Sequence, residues 1–370
     1  FKPTEVVVFP SPAGVGVMAV TKINFPSGLD CCLSMKSKFI LNKKEAMKQL
    51  EVVQNISDEV SYSVKTNVEV AKVLEGNCWF SVHSLQNLML LEDKSKVWFF
   101  SQGWNAEFFK ELLSLGVKSF VIDNENDLKV LLDNSSSDIN LLLRMKLKEH
   151  TIHTGKHFVF GFNSNKINEL IPELKEKVNK LGVHFHRKTQ NVSEWNLKEE
   201  LIDSISEENL SKLDYVNIGG GIPAQYKNFR KEVIDYIFKK IEELKEFLND
   251  KDIQMIIEPG RFIAAPAVKL ECEVINVYHG NLIVNASVYN SAMDTFVANI
   301  RLLVEDEVEN SGFCYVIKGF TPDSLDIFRY KVCFDKELKV GDKIVFLNAG
   351  AYNYSSNYFN LDNVETEIVL

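Results

Sequence analysis

Eight short apolar runs, nearly all followed by a segment with helical spacing, constrain the fold of this chain more than any other feature. The runs lie at residues 60–64, 78–82, 96–100, 118–122, 139–145, 182–186, 214–218 and 253–257. Between them, apolar side chains recur at i, i+3 and i+4, the spacing of an amphipathic helix. Alternating strand and helix units predict an α/β fold with a parallel sheet, and eight of them predict a closed (β/α)8 barrel of the TIM type. The alternative is a doubly wound open sheet.

The pattern of the chain changes after Ala265. The helical spacing disappears there, and short apolar segments separated by turn residues predict a C-terminal all-β domain. A strand pattern at residues 5–9 is expected to join this domain, which would make the domain discontinuous. The predicted organisation is a barrel at 38–265 and a β-sandwich or β-barrel domain formed by 1–37 and 266–370.

The charge and hydropathy of the chain exclude several classes of protein. Its 370 residues carry a formal net charge of -9 and no basic stripe, which argues against binding to nucleic acid. No apolar run is long enough to cross a bilayer. No signal-peptide pattern opens the chain, and whether Phe1 is the natural N-terminus stays open. The expected partner is therefore a small molecule, not nucleic acid or a membrane.

The spacings of cysteine and histidine predict no metal centre. The chain has six cysteines without a C-x-x-C pair: Cys31, Cys32, Cys78, Cys272, Cys314 and Cys333. They predict neither a disulfide framework nor a zinc ribbon, and they favour a reducing, cytoplasmic setting. His150, His153 and His157 surround Gly155 without a nearby carboxylate or cysteine pattern. We therefore expect no metal at these histidines.

Two phosphate-binding signals follow the last two apolar runs. The first is the triplet Gly219, Gly220 and Gly221, and the second is the sequence that runs from Glu258 to Arg261. Consecutive glycines turn backbone N–H groups toward an anion, and an arginine adds a bidentate donor. A glycine triplet alone fits a tight turn equally well. In (β/α)8 barrels, however, the loops after strands seven and eight often form a phosphate site.

A lysine, an arginine and a histidine stand at other strand ends. Lys65 follows the first run, Arg144 lies in the fifth, and His186 ends the sixth. Lysine is costly to bury at a barrel mouth, and a lowered pKa makes it a Schiff-base nucleophile. Taken singly, Lys65 reads as a surface lysine and His186 as a core histidine. Their joint placement with the phosphate signals and the Glu258 carboxylate predicts a pyridoxal phosphate site.

Six motifs carry a resemblance to a known family. In chain order they are SYSVKTN (61–67), GVHFHRKTQ (182–190), NIGGGIP (217–223), EPGRFIAAPA (258–267), GFTPDSLD (319–326) and GAYNYSSNYFN (350–360). Together they resemble the ornithine/diaminopimelate/arginine decarboxylase family, the fold-type III pyridoxal phosphate enzymes with an alanine-racemase-like barrel. The resemblance extends over nearly the whole chain.

The resemblance implies a role for each matching position. Lys65 would hold the cofactor as a Schiff base, Glu258 would pair with the ring nitrogen, and His186 would stack on the ring. The implied cofactor contacts also include Arg144, Thr189, Gly219, Gly220, Gly221, Gly260, Arg261 and Tyr352. Asp323 would complete the catalytic set in the site of a neighbouring subunit, which implies a homodimer. The substrate amine would displace Lys65, CO2 would leave, and the α-carbon would then be reprotonated.

The chain departs from the family pattern at three places. Pro322 stands where relatives usually have a cysteine that helps to deliver a proton after CO2 loss. Ser81 replaces an aspartate that usually lies behind the cofactor, and His83 is next to it. The motif after His186 contains two additional cations, at positions 187 and 188. These departures leave the outcome of the reaction open.

The substrate is the least determined part of the prediction. Within residues 285–303, Asp294 favours a substrate with a distal amine, and Arg301 favours one with a distal carboxylate. The leading hypothesis is a decarboxylase of an ornithine, lysine or arginine type of diamino acid in polyamine metabolism. The alternatives are a decarboxylase of a diaminopimelate or carboxynorspermidine type of substrate, an inactive paralogue that resembles antizyme inhibitors, and a racemase of the same barrel class.

Overall fold

The computed structural model describes residues 36–100, 102–146, 160–187, 189–229 and 233–370. The chain divides into two units, 1–36 and 37–370, and all that follows concerns the second unit. The strand predicted at 5–9 and the three histidines between 150 and 157 lie outside the described residues. Within the described part of the chain, no helix has the length and the apolarity needed to cross a membrane.

A closed barrel of eight parallel strands forms the centre of the unit. It is preceded by a separate strand, β1 (Lys38–Asn42), and helix α1 (Lys43–Asn55). The barrel strands are β2 (Glu59–Ser63), β3 (Trp79–Val82), β4 (Val97–Phe100), β5 (Ser119–Ile122), β6 (Asn140–Arg144), β7 (Lys180–His184), β8 (Tyr215–Asn217) and β9 (Gln254–Ile257). Each pairs with its sequence neighbours, and β9 closes on β2. All eight predicted strands are confirmed, and the open-sheet alternative is wrong.

Helices connect the barrel strands. They are α2 (Val68–Leu74), α3 (Leu85–Met89), α4 (Ala106–Ser114), α5 (Glu125–Asn134), α6 (Ser164–Lys175), α7 (Leu197–Ser204), α8 (Glu207–Leu210), α9 (Val233–Asn249) and α10 (Arg261–Ala267). Five helices begin after an asparagine whose side chain accepts a backbone N–H of the first turn: Asn42, Asn67, Asn105, Asn124 and Asn163. This local bond satisfies a donor that the helix leaves unpaired, so it defines where each helix starts.

A mixed sheet of eight strands forms the second layer of structure. Beside β1, it contains β10 (Val268–Tyr278), β11 (Asn281–Val284), β12 (Leu303–Val304), β13 (Phe313–Lys318), β14 (Ile327–Phe334), β15 (Lys343–Leu347) and β16 (Glu365–Val369). The order is β12-β15-β10-β11-β13-β14, and β1 pairs with both β10 and β16. Two short helices, α11 (Val288–Ser291) and α12 (Asp294–Val297), interrupt it. The sequence pattern predicts a barrel that starts at residue 38. Residues 38–42 form β1, however, which pairs with strands of the mixed sheet.

Part of the barrel interior is filled with large apolar side chains. Trp98, Phe100, Val121, Leu142 and Ile256 form a cluster there that is separate from the main core. Burial of each such side chain contributes roughly 1.5–3 kcal/mol. The cluster reaches the carboxyl ends of the strands, because Phe100 also lines the cavity that opens there.

One disulfide corrects the expectation from cysteine spacing. Cys314 and Cys333 lie directly opposite each other on β13 and β14 and are bonded. The spacing of 19 residues gave no sign of this pair, because it is the antiparallel register of these two consecutive strands that brings the two sulfur atoms together. A bonded pair is more typical of oxidising compartments than of the reducing setting predicted above.

Candidate active site

A cavity opens at the carboxyl ends of the barrel strands, and most of the predicted site residues line it. From the predicted set, these are Lys65, Arg144, His186, Thr189, Gly220, Gly221, Glu258, Gly260, Arg261 and Tyr352. They come from five different strand ends and from the loop after β15. This is the face on which barrel enzymes carry their catalytic groups.

Lys65 lies in a short helical turn that follows β2. Its Nζ atom is 3.4 Å from Nε2 of His83, whose ring stacks on Phe100 with the ring centroids 4.8 Å apart. The amine reaches solvent through the cavity mouth, yet burial among these groups lowers the pKa of Lys65, and Arg144 lowers it further against the opposing effect of Glu258. A lysine amine with a lowered pKa is the more nucleophilic at neutral pH.

Glu258 is held by three hydrogen-bond donors. Ser81 Oγ lies 2.9 Å and Asn217 Nδ2 3.0 Å from Oε1, and His184 Nε2 lies 3.3 Å from Oε2. Burial by itself would raise the pKa of the carboxyl, but His184 and the other partners outweigh burial and lower it to about 2. Glu258 is therefore an ionised carboxylate at neutral pH, despite being only 7% exposed.

His186 and the glycine triplet support each other. The backbone N–H of Gly220 donates to Nδ1 of His186 across 3.2 Å, and burial lowers the pKa of this histidine to about 3. Gly219 has φ +65°, and a Cβ atom there would lie 2.5 Å from the carbonyl oxygen of Phe185. Gly219 is thus required for the close approach of two strand ends, and His186 presents a neutral, flat imidazole at the cavity wall.

Arg261 is fixed by several partners at the opposite side of the cavity. Its Nε donates to Thr189 Oγ1 across 3.1 Å, its Nη1 donates to the Tyr226 hydroxyl across 3.0 Å, and it forms an ion pair with Asp294. Its guanidinium also lies 5.2 Å from the ring centroid of Tyr352. Nη2 is buried and has no hydrogen-bond partner among the described residues. One donor of a fixed guanidinium therefore remains for a ligand.

These residues fit pyridoxal phosphate. Thr66 Oγ1 is a second buried polar atom without a partner in the described part of the chain, and it lies beside Gly260, where a Cβ would collide with it. A phosphate group supplies acceptor oxygens for the two buried atoms that have no partner among the described residues, Arg261 Nη2 and Thr66 Oγ1. The Lys65 amine suits an aldehyde, and the Glu258 carboxylate suits a protonated ring nitrogen.

The proposed substrate residues lie elsewhere. Asp294 is 5% exposed and paired with Arg261, so its carboxylate is not available to a distal amine. The Arg301 guanidinium stacks over Tyr330, 5.1 Å from the ring centroid, and lines a different surface groove. Neither residue lines this cavity, and both substrate assignments stay predictions. Asp323 does not belong to the described lining either, and its predicted role in a second subunit stays a prediction.

Several residues of the site were missed in the sequence, and four of them bear on its chemistry. His184, Asn217, Phe100 and Thr66 either line the cavity or contact Glu258. One signal was present for His184, because it precedes His186 by two residues and an extended strand directs side chains i and i+2 to the same side. The contacts of Asn217 and Phe100 depend on the register between strands, which the sequence pattern does not contain.

The structure combines a (β/α)8 barrel, a β domain and a cavity whose residues fit pyridoxal phosphate. The family model described as "Pyridoxal-dependent decarboxylase, pyridoxal binding domain" matches residues 40–265. The chain belongs to this family, and its cofactor is pyridoxal phosphate.

Individual relatives differ in their substrates. A carboxynorspermidine/carboxyspermidine decarboxylase of Herminiimonas arsenicoxydans is 26% identical over 187 residues, which cover 48% of each chain. The ornithine decarboxylase of Schizosaccharomyces pombe is 26% identical over 280 residues, which cover 66% of this chain and 60% of the relative. The chain thus matches between about half and three fifths of the length of these two relatives.

Solved structures support the fold. The lysine/ornithine decarboxylase of Vibrio vulnificus, solved with cadaverine, superimposes with a TM-score of 0.74 at 20% identity, over 90% of this chain and 94% of the other. The arginine decarboxylase of Paramecium bursaria Chlorella virus superimposes with a TM-score of 0.75 at 20% identity, over 91% and 96%. At this level of identity, the likeness concerns the architecture.

Proposed function

We propose that the chain is a pyridoxal phosphate-dependent carboxy-lyase that removes CO2 from an amino acid with a distal amine. The observation that carries the proposal is the meeting of Lys65, ionised Glu258 and the partly unpaired Arg261 in one cavity. When bound, the cofactor supplies an electron sink for the electron pair left by CO2. Lys65 holds the cofactor and yields its place to the substrate amine, Glu258 keeps the ring nitrogen protonated, and Arg261 anchors the phosphate.

A second cavity that shares Lys65 and Thr66 supports a substrate with a distal amine. Apart from Lys65, its charged lining among the described residues is Glu69, which also pairs with Lys72 across 2.8 Å. The other lining residues are neutral: Phe39, Asn67, Val68, Asn290, Asn353, Tyr354, Ser355, Asn363, Val364 and Thr366. A substrate that extends from Lys65 into this cavity meets a carboxylate, which favours a distal ammonium group.

A substrate with a distal carboxylate is the second candidate. The observation in its favour is that relatives of Herminiimonas arsenicoxydans and Campylobacter jejuni are named carboxynorspermidine/carboxyspermidine decarboxylases. Against it, Lys65 is the sole cation among the described residues that line the second cavity. A distal carboxylate would therefore lack an opposite charge there.

An inactive binding paralogue is the third candidate. A relative named antizyme inhibitor 2 of Xenopus laevis is 26% identical over 280 residues, which cover 66% of this chain. The chain nevertheless keeps Lys65, Glu258 and Arg261 in one cavity, and a protein that only binds a partner has no need for this set.

We also propose that the enzyme is a homodimer with shared active sites. Asp323 is hydrogen-bonded with Tyr289, which packs on the rings of Tyr358 and Phe359. Around it, large apolar side chains are exposed: Phe320, Leu325, Tyr358 and Phe359 are 41 to 59% exposed. An exposed apolar patch beside a carboxylate suits a contact in which that carboxylate reaches a second copy.

The activity is tested by absorbance and CO2 release. Purified protein loaded with pyridoxal phosphate should show a band near the visible edge that is absent in Lys65→Ala. Ornithine, lysine, arginine, diaminopimelate and carboxynorspermidine are then tested for CO2. Release from one of the first three supports the proposal, and release only from one of the last two selects the second candidate. A band without CO2 from any substrate favours the binding paralogue, and no band refutes a cofactor site.

Shared sites are tested by mixing two inactive variants. Lys65→Ala and Asp323→Ala are each expected to be inactive, but mixed dimers contain one site with both residues intact. Activity should therefore reappear after mixing and subunit exchange. A fully active monomer, or an active Asp323→Ala variant, contradicts the shared site.

A further inference from the structure

The carboxylate of Glu258 is held by groups from three barrel strands. Ser81 belongs to β3, His184 to β7 and Asn217 to β8. His184 and Asn217 are register partners in the parallel pairing of β7 and β8. Ser81 and Asn217 bind one oxygen, and His184 binds the other. Because both oxygens are held, the plane of the carboxylate cannot rotate without loss of a hydrogen bond.

The geometry indicates which nitrogen of His184 carries the proton. Nε2 faces Glu258, whereas Nδ1 is buried without a partner among the described residues. A buried N–H without an acceptor is rarer and more costly than a buried lone pair. The single proton of a neutral ring is thus on Nε2, and His184 donates to the carboxylate. The edge of the ring packs against Phe100 with the ring centroids 5.2 Å apart, which fixes its orientation.

Several charged and titratable groups surround the pair formed by His184 and Glu258. Lys65, Arg144, His83 and His186 line the same cavity as Glu258 and interact with its charge, and Glu258 is the sole carboxylate among the described residues that line the cavity. Burial lowers the pKa of His184, although Glu258 opposes this. His184 therefore serves as a neutral and directed donor in an environment where it is 1% exposed.

We propose that His184 is a positioning residue that keeps Glu258 ionised and oriented toward the ring nitrogen of the cofactor. The inference rests on the proposed pairing of Glu258 with that nitrogen. Without His184, Oε2 loses its donor and the carboxylate gains freedom to rotate and to take up a proton. A protonated or rotated Glu258 no longer stabilises the protonated ring, and the ring becomes a weaker electron sink.

The experiment compares two substitutions at one position. His184→Phe keeps an aromatic ring against Phe100 but removes the donor, whereas His184→Gln keeps an N–H group at similar reach. His279→Asn, in an exposed turn, is the control. We measure the affinity of the cofactor-free protein for pyridoxal phosphate, and the pH at which the absorbance band of the bound cofactor changes at the acid end.

His184→Phe should weaken cofactor binding by about 10-fold, the loss expected for one hydrogen bond to a charged group. It should also move the acid transition of the band upward by about one pH unit, because Glu258 protonates more readily. His184→Gln should restore most of both properties. The control should match the unsubstituted protein.

Two outcomes overturn the proposal. One is a folded His184→Phe variant with unchanged affinity and an unchanged acid transition. The other is equal loss in the Phe and Gln variants, which would indicate a packing role. If the Phe variant does not fold, His184→Asn, whose amide is too short to reach Glu258, takes its place against Gln. Glu258→Gln tests the pairing of Glu258 with the ring nitrogen separately from the role of His184. An unchanged absorbance band in this variant refutes that pairing.

Discussion

At the residue scale, burial keeps two histidines of the cavity in their neutral form. It lowers the pKa of His83 and of His186 to about 3 and leaves both rings neutral at physiological pH. The one carboxylate among the described lining residues stays ionised, because hydrogen bonds and nearby groups outweigh its desolvation. The cavity thus contains one carboxylate and flat, neutral imidazole rings. This combination suits an aromatic cofactor with a protonated ring nitrogen.

The ionisation of Glu258 predicts a loss of stability in acid. Its folded-state pKa of about 2 is below its ordinary value of 4.5, so its contribution is complete above that ordinary value and disappears as the pH falls toward 2. The contribution amounts to roughly 3 kcal/mol. Denaturant unfolding of the cofactor-free protein between these pH values should be less pH-dependent in Glu258→Gln. An equal pH dependence in both proteins contradicts this assignment.

Gly219→Ala should cost stability and cofactor binding together. The new Cβ would combine a left-handed φ of +65° with a contact of 2.5 Å to the Phe185 carbonyl oxygen. Gly280→Ala is the control, because its φ of +74° is similar and no atom lies within 4 Å of its Cβ position. We expect about 1–2 kcal/mol for the control and clearly more at Gly219. Denaturant unfolding and cofactor titration measure both effects, and equal costs refute the steric argument.

At the element scale, the ends of the strands and the starts of the helices carry the function. Asn67 illustrates the coupling, because it follows the Lys65 turn and begins α2. Its Oδ1 accepts the N–H groups of Glu69 and Val70, and its Nδ2 donates to the Gly350 carbonyl across 2.8 Å. One side chain therefore caps a helix and ties the cofactor lysine to the loop after β15.

Substitutions of Asn67 should separate these two roles. Asn67→Asp keeps the cap and loses the tie, whereas Asn67→Ala loses both. Asn163→Ala, which removes only the cap of α6, should cost about 1 kcal/mol. We expect Asn67→Ala to cost more than this control, and both Asn67 variants to bind the cofactor more weakly. Unfolding midpoints and cofactor titration test this, and normal cofactor affinity in Asn67→Asp would exclude the tie.

At the scale of the whole molecule, the mixed sheet completes the barrel site. The backbone N–H of Tyr352 donates to the Thr66 carbonyl across 2.9 Å, and the Tyr352 ring packs on Arg261. The loop after β15 thus contributes a wall to a cavity whose other walls come from the barrel. Cofactor binding and the contact between the two layers are therefore expected to depend on each other.

Gly350→Ala should disturb this contact. A Cβ at Gly350 would collide with the Ala264 carbonyl in α10, so the loop that carries Tyr352 must move away from the barrel. The expected result is weaker cofactor binding together with a lower free energy of unfolding. Gly341→Ala, in a turn of the same sheet with open space around its Cβ position, should leave cofactor binding unchanged. Normal cofactor affinity in Gly350→Ala would show that the loop is not required.

The barrel and the residue types at its strand ends could be predicted from the amino-acid pattern. Apolar periods of two and 3.6 residues are local, and eight alternating units leave few ways to bury their apolar faces. The motifs around Lys65, Gly219 and Glu258 end their strands, and parallel closure brings all strand ends to one face. The number and the parallel order of the strands therefore predict that these motifs meet at one cavity.

Which of the remaining polar groups lie at that cavity depends on long-range contacts that the pattern does not contain. Asp294 is neutralised by Arg261, Arg301 stacks on Tyr330, and His184 turns out to hold Glu258. The disulfide between Cys314 on β13 and Cys333 on β14 is likewise a tertiary contact. Each of these contacts joins residues far apart in the chain, and its existence depends on strand register and side-chain direction, for which local spacing contains no signal.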